Sequence, residues 1–202
     1  MYTPRAFEID SAEADAIIDD CDLASVVVFD PNDGFEATWL PLLRQPGRLV
    51  GHVAKANPLW SRTGPALAMF RTVDGYVSPS WYPSKREHGK VVPTWNYVAV
   101  TVHGTLVVHH DEPWKREVVT ALTRRHEAQI GSNWQVSDAP PGFVDSMLAA
   151  IVGIEIVIDR IEGKAKLSQN RSGADIAGVI AANENALGDA VRRANPQPES
   201  VL

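Results

Sequence analysis

YVSPSWYPSKREHGKVVPTWNY, residues 76–97, holds Tyr76, Trp81, Tyr82, Trp95 and Tyr97, half of the six Trp and four Tyr in the chain. Pro79, Pro83 and Pro93 divide it. Each proline fixes its own φ and pushes the preceding residue toward extended conformations, so the stretch predicts short extended pieces and turns, with no helix and no long strand. Ser78, Ser80, Ser84, Lys85, Arg86, Lys90 and Thr94 place hydroxyls and cations among the rings. Such rings are most often core or interface aromatics. The polar run Lys85, Arg86, Glu87, His88 and Lys90 has no place in a core, however. The mixture describes a ligand rim or a dimer contact, and it suits a planar, phosphorylated ligand.

Outward from this stretch the chain reads as short strands with helices inserted and appended. Asp10 and Glu13 have capping-box spacing ahead of a helix over residues 11–20. Residues 23–29 are apolar and β-branched, DPNDG (30–34) is turn chemistry, and Phe35, Ala37 and Trp39 alternate with polar neighbours, which predicts a hairpin. Residues 49–54 form the next strand, followed by pieces at 65–70 and 76–78 around a turn at Asp74-Gly75. Residues 98–108 are the longest strand candidate, with Val98, Val100 and Val102 on one face, Thr101 and His103 on the other, and Gly104 marking a bulge. Helices follow over residues 112–126 and 143–152, then a strand through Ile154, Ile156 and Ile158, a polar loop GKAKLSQNR (163–171) and one helix over 175–193. The expected class is α+β dominated by β: a small antiparallel barrel with peripheral helices. One domain over residues 1–194 and a disordered tail over 195–202 are expected.

A formal charge of −6 opposes non-specific attraction to nucleic acid, and no helix-turn-helix spacing is present. DNA contact is therefore unsupported by charge or reader motif. The single Cys21 excludes an intrachain disulfide and any multi-thiolate metal site. Neither a secretory leader nor a membrane span is expected, so the reading is a cytoplasmic protein. Glycine patterns for dinucleotides or phosphates and the GxSxG elbow are absent. His126-Glu127 begins like HExxH, but Ile130 stands where the second His would be. His109 and His110 point opposite ways on a strand, so no metal site is expected there. The cations of the 112–126 helix, Lys115, Arg116, Arg124 and Arg125, read as a solvated face.

GHVAKANPLW (51–60), YVSPSWYPSK (76–85), VVPTWNY (91–97), IVGIEIVI (151–158) and GKAKLSQN (163–170) closely resemble the PaiB-like FMN-binding negative transcriptional regulators, as does the opening MYTPRAF. The blocks are in order and cover nearly the whole chain. The resemblance implies a split β-barrel of the FMN-binding, pyridoxamine-phosphate-oxidase-like type, a homodimer with flavin sites at its interface. It also carries the cofactor-binding candidates His52, Lys55, Asn57, Ser78, Trp81, Tyr82, Lys85, Thr94, Trp95, Asn96, Lys166, Ser168, Gln169 and Asn170. Two positions depart from the family pattern: Thr72-Val73 replaces a Gly-Pro pair expected in a loop bordering the ligand, and Trp39 replaces a His. No acid–base pair identifies a catalytic residue. The alternatives to a regulator are a flavin reductase or other flavin-dependent oxidoreductase and a ligand-free dimeric scaffold, with haem a lesser cofactor expectation.

Overall fold

The computed structural model describes residues 1–62, 64–140 and 142–196. The expected disorder of the tail falls, from residue 197 onward, outside the described residues. Asn195, the first residue of that tail, donates from Nδ2 to Leu167 O at 2.9 Å and to Val191 O at 2.8 Å. Among the described residues, no helix is long and apolar enough to cross a membrane.

Among the described residues, seven strands form one sheet in the order β2-β1-β5-β6-β7-β4-β3. They are β1 (Ala24–Asp30), β2 (Gly34–Leu40), β3 (Leu43–Gln45), β4 (Arg48–Ala54), β5 (Gly64–Val77), β6 (Thr94–His109) and β7 (Ile151–Lys166). The helices are α1 (Ser11–Asp20), α2 (Ser84–His88), α3 (Glu112–Gln129), α4 (Phe143–Ala149), α5 (Gly173–Ala181) and α6 (Ala186–Ala194). The chain falls into two compact units, one from Met1–Ile17, Arg71–Val100 and Glu162 onward, the other from Ile18–Phe70 and Thr101–Ile161.

In the second unit the expected hairpin forms, with Phe29 opposite Phe35 and Asp30 opposite Gly34. Asp30 Oδ1 accepts from the backbone of Asn32 and Asp33 at 2.8 and 3.2 Å, and Gly34 takes φ 81°. Ala24, Val26 and Val28 of β1 and Ala66 and Ala68 of β5 are buried. Burial of a Val, Leu or Ile side chain stabilises by about 1.5–3 kcal/mol. The alternation in β2 is as expected, but its apolar face is the exposed one: Phe35 is 76% and Trp39 68% exposed. β4 lies antiparallel to β7, His52 opposite Gly153 and Val50 opposite Glu155. A Cβ on Gly51 would stand 2.7 Å from Pro41 O, so β4 runs tight against the chain leaving β2.

Helix α3 starts where Asp111 Oδ2 accepts from Trp114 N at 2.9 Å, with Pro113 in its first turn. Val118 and Leu122 pack on Val50, with Leu43 and Trp114 at the edge. Lys115 does not join the solvated cations: it is buried, and Nζ donates to Leu148 O at 2.7 Å and Ile151 O at 3.4 Å, at the end of α4. Leu148 lies in the last turn of α4, where carbonyls need donors, and Ile151 opens β7. The Trp114 ring occupies the space a Gly153 side chain would fill, 2.2 Å from the ideal Cβ, and stacks on His109 at 4.0 Å and 8°. His109 Nε2 in turn lies 2.8 Å from Glu155 Oε2.

Several elements depart from the sequence reading. β5 runs unbroken through Asp74-Gly75. The glycine there serves packing instead of a turn, since a Cβ would meet Leu187 Cδ2 of α6 at 2.6 Å. Consequently Thr72-Val73 lies inside a strand and not in a loop. Gly104 is required by Val157 O, 2.2 Å from its ideal Cβ, a close approach of neighbouring backbone. β7 extends through Lys166, leaving only residues 167–171 as loop. The single C-terminal helix is two, broken where Asn185 Oδ1 caps α6 from Leu187 N at 2.9 Å and Gly188 N at 3.3 Å.

The opening stretch also differs, because its prolines sit at boundaries and therefore interrupt nothing. Pro79 opens a 3-10 turn, Pro83 precedes α2, and Pro93 immediately precedes β6, which takes in Thr94–Tyr97. Ser84 donates its backbone N–H and its hydroxyl to Asp175 of α5 at 3.1 and 2.8 Å. Ser172 caps α5, its Oγ accepting from Asp175 N at 3.2 Å. A Cβ on Gly178 would stand 2.0 Å from Trp81 O, so α5 lies directly on this segment.

Two outcomes follow. Gly153→Ala must displace Trp114, and a destabilisation of about 1–3 kcal/mol is expected in thermal denaturation. Combining it with Trp114→Ala should cost less than the two changes added separately. Burial pushes the Asp175 carboxyl up, but bonds from Ser84 and Ser172 and the charge of Arg171 outweigh it and hold the group below its ordinary 3.8. A carboxyl lowered on folding stabilises fully above its unfolded pKa and loses that contribution as pH falls through the unfolded and then the folded value. Asp175→Asn should therefore lower stability at pH 7 by about 1–3 kcal/mol, and the difference should shrink below about pH 3.9. Denaturant titrations at pH 7 and pH 3 check this; an equal offset at both would remove the carboxylate from the account.

Candidate functional site

In the first unit, Thr94–Asn96 at the start of β6 meet the last residue of β7 and the loop after it. Thr94 Oγ1 and Trp95 O both accept from Lys166 Nζ, the latter at 2.8 Å. The Trp95 ring itself points away from the core, 55% exposed, and meets the half-exposed ring of Tyr76 edge-on at 6.4 Å. The Lys166 ammonium is thus bonded to the backbone carbonyl of a residue whose ring is exposed. Lys166 retains one further N–H, because an ammonium has three and two are engaged.

Asn96 lies between Thr94-Trp95 and the buried strand face, fully enclosed. Its Nδ2 donates to Ser168 Oγ at 2.9 Å, and its Oδ1 is buried with no partner. Ser168 has φ 69°, the left-handed region that non-glycine residues seldom adopt. The loop is otherwise closed on itself: Gln169 Oε1 accepts from Leu167 N at 2.7 Å, Gln169 Nε2 donates to Ala165 O at 2.6 Å, and Arg171 N donates to Ser168 O at 2.9 Å. Asn170 stands exposed at its tip.

Arg171 then turns back over Tyr82, its guanidinium carbon 4.9 Å from the ring centroid. A guanidinium over a ring face is an attractive cation–π contact. Tyr82 is buried, and its hydroxyl has no hydrogen-bond partner. Burial pushes the phenol's pKa up, with the Asp175 charge in support and the charge and hydrogen bonding of Arg171 opposed, so it keeps its proton at neutral pH. Ser78 caps the preceding 3-10 turn through Ser80 N at 3.1 Å, and Lys85 Nζ reaches Ser80 Oγ at 3.5 Å on the exposed side. Trp81 is half-buried.

Eleven of the fourteen expected residues, from Ser78 to Asn170, therefore belong to the first unit. His52, Lys55 and Asn57 belong to the second. His52 Nδ1 is buried without a partner, and burial lowers its pKa, favouring the neutral ring. Lys55 is exposed, its carbonyl held by Trp60 Nε1 at 2.8 Å. The Asn57 amide serves the local fold: Oδ1 accepts from Leu59 N at 2.9 Å and Nδ2 donates to Thr38 Oγ1 at 3.1 Å. Among the histidines weighed for metal binding, His109 faces Glu155 and Trp114 while His110 meets Trp60 at 5.8 Å.

Sequence reasoning left three residues of this site off its list. Arg171 ends the polar loop and has the donor chemistry, but its place over Tyr82 is set by the left-handed Ser168. Lys164 is buried, its Nζ on Tyr2 O at 2.9 Å and 5.3 Å from the Tyr97 ring centroid. Asp175 was legible only as part of Ser172-Gly-Ala-Asp, a capping pattern at a helix start.

Known proteins resemble the chain in both sequence and fold. Residues 1–160 match the family described as "Putative FMN-binding domain". The Bacillus subtilis protease synthase and sporulation protein PAI 2 is 33% identical over 195 residues, which cover 92% of this chain and 90% of that protein. An uncharacterized Emericella nidulans protein is 40% identical over 174 residues, 71% of this chain and 69% of that one. Among solved structures, the FAD and heme binding protein from Mycobacterium smegmatis superposes with a TM-score of 0.60 at 21% identity, over 83% of this chain and 77% of that one. The flavocytochrome Anf3 from Azotobacter vinelandii gives 0.58 at 19% identity, over 81% and 68%. At such identities the structural likeness speaks to the fold, a split β-barrel with peripheral helices. With its family blocks in order and its fold in agreement, the chain belongs to the "Putative FMN-binding domain" family, as a PaiB-like member.

Proposed function

We propose that this chain binds FMN in the first-unit site and acts, as a homodimer in the cytoplasm, as a negative regulator of gene expression of the PaiB type. Residues 1–194 would constitute one functional domain. The observation that carries the ligand reading is the exposed Trp95 ring with the Lys166 ammonium bonded to that residue's own carbonyl. FMN needs an apolar wall for its ring system and cations for its phosphate, and both are present within a few residues. The unpartnered Tyr82 hydroxyl and Asn96 Oδ1 are further polar groups without protein partners in this unit. Of the expected residues, Trp95, Thr94, Lys166, Lys85 and Asn170 are available to a ligand. Asn96 and Gln169 support the loop from within.

Bound flavin would supply redox capacity, and the flavin-binding solved neighbours favour a second reading, a flavin-dependent oxidoreductase. The chain's own residues would then bind and orient the cofactor, since among the described residues no acid–base pair is assembled around Trp95. DNA contact, if direct, has to overcome a formal charge of −6.

For the partner surface, the face of β2, β1 and β5 in the second unit exposes Phe35 and Trp39 with Phe29 at 42% and Met69 at 39%. Aromatic and Met side chains in such number on one sheet face mark an interaction surface, and a second copy is the proposed occupant.

Titration of the protein into FMN should quench flavin fluorescence, and Trp95→Ala should weaken binding by roughly tenfold, about 1.4 kcal/mol. Absence of any flavin signal would remove the ligand. Sedimentation of the Phe35→Glu/Trp39→Glu protein should show monomers with unchanged circular dichroism, because both side chains are largely exposed. Dimers persisting in that variant would move the interface elsewhere. Steady NADPH oxidation dependent on added FMN would favour the oxidoreductase reading.

A further inference from the structure

The cations of α3 meet different ends. Lys115 is buried on the Leu148 carbonyl, Arg116 bridges Glu112 at 2.8 Å and Asp145 at 2.5 Å, and Arg125 donates to Asp19 O and lies 3.8 Å from Asp22. Arg124 has no hydrogen-bond or ion-pair partner among the described residues, and it lines a cavity of about 270 Å³. Glu127, three positions on, lines the same cavity and is likewise unpartnered among the described residues. Residues three apart stand on one helix face with about 5–6 Å between their Cβ atoms, a spacing at which opposite charges can pair, though less well with the cation first. Here the two leave each other open to a third group.

The facing wall is made by the reversal of the chain after α3. Gly131 takes φ 70°, Gly131 N donates to Ala128 O at 3.2 Å and Ser132 N to Glu127 O at 2.9 Å, the paired bonds of a Schellman closure. Ser132 Oγ then accepts from Trp134 N at 3.2 Å, and Asp138 Oδ2 accepts from Gln135 N at 2.9 Å. Trp134 is thereby set between two bonded turns, its ring 45% exposed on the cavity wall. Thr123 and Asn133 add a hydroxyl and an amide to the lining. The volume falls just under the range of about 300–1,000 Å³ that takes drug-sized molecules, so the occupant is a small metabolite.

We propose that this cavity binds a free α-amino acid with a large apolar or aromatic side chain, its carboxylate on Arg124, its ammonium on Glu127 and its side chain on the Trp134 ring. A guanidinium offers a carboxylate a planar two-pronged fork, and an indole face offers an apolar side chain a flat surface. An α-amino acid carries both of its charges on one carbon, so they can meet partners one helical turn apart. A simple anion on Arg124 would bring its charge beside Glu127, and a simple amine on Glu127 would bring its charge beside Arg124. The zwitterion satisfies both. The site lies within the second unit and stands independently of the flavin reading.

Calorimetric titration of the full chain with L-phenylalanine, L-leucine, N-acetyl-L-phenylalanine and L-phenylalaninamide tests this, with tryptophan fluorescence as a second readout. At least one of the two free amino acids should bind with a Kd of about 1 mM or tighter, and each blocked phenylalanine at least about tenfold more weakly than phenylalanine itself. Arg124→Met should weaken phenylalanine about tenfold and leave the amide, which has no carboxylate, unchanged. Glu127→Gln should weaken phenylalanine as much and leave the N-acetyl compound, which has no ammonium, unchanged. Trp134→Phe keeps a ring and should retain binding while losing the fluorescence change, and Arg193→Met in α6 should alter nothing. Should a variant fail to fold, the blocked compounds decide the matter on the unaltered chain. Binding of neither phenylalanine nor leucine overturns the site, as do equal affinities for phenylalanine and both blocked forms. Binding that survives both Arg124→Met and Glu127→Gln also overturns it. An N-acetyl compound bound as tightly as phenylalanine overturns the zwitterion and points to the C-terminus of a peptide.

Discussion

The Asp175 carboxylate joins two segments that the chain separates by ninety-one positions. It accepts two hydrogen bonds from Ser84, sits inside the Ser172 cap of α5, and places negative charge beside Arg171. Its neighbours depend on that placement. Arg171 can lie over Tyr82 because Asp175 offsets its charge from one side, and α5 can press on Trp81 because Gly178 has no side chain there. A charge-assisted bond of this kind is roughly twice as strong as a neutral one, which suits it to holding an otherwise irregular segment. The proline-bounded turns from Ser78 to Pro83 add backbone bonds of their own, Trp81 N to Ser78 O and Tyr82 N to Pro79 O, each at 3.2 Å.

The second unit achieves comparable order by close approach. Gly51, Gly104 and Gly153 each occupy a position where a Cβ would collide, with Pro41 O, Val157 O and the Trp114 ring respectively. Absent side chains let backbone and rings come within contact distance there. Buried polar groups join them there: Glu155 of β7 is met by His109 at 2.8 Å and Arg48 at 3.8 Å, and Lys115 by the Leu148 carbonyl at 2.7 Å.

The polar residues of the family-like blocks divide into two physical roles. Asn57, Asn96 and Gln169 direct their amides into the fold, where they cap a turn, hold a left-handed residue and close a loop. Trp95, Lys85 and Asn170 face outward. Residue type alone does not separate these roles, because an amide that shapes a loop and one that binds a ligand have the same chemistry. The separation follows from enclosure: a side chain as buried as Asn96 acts on a ligand only through what it positions.

From the amino-acid sequence alone, the strand-rich class, the helix over Ser11–Asp20, the hairpin at DPNDG and the valine face of β6 were all legible. Each is written in local periodicity or turn chemistry that acts over a few residues. The family blocks carried the split barrel and most of the candidate site. Only the tertiary structure decided that β5 continues through Asp74-Gly75, since Leu187 of α6 takes the space beside that glycine. It likewise buried Lys115 under the carbonyls of Leu148 and Ile151, turned the apolar face of β2 outward, and set Arg171 over Tyr82 with Asp175 on Ser84. These outcomes depend on contacts between residues far apart in the chain. Local pattern specifies which conformation a segment prefers, whereas distant packing specifies which of its faces is covered and which charges must share one place.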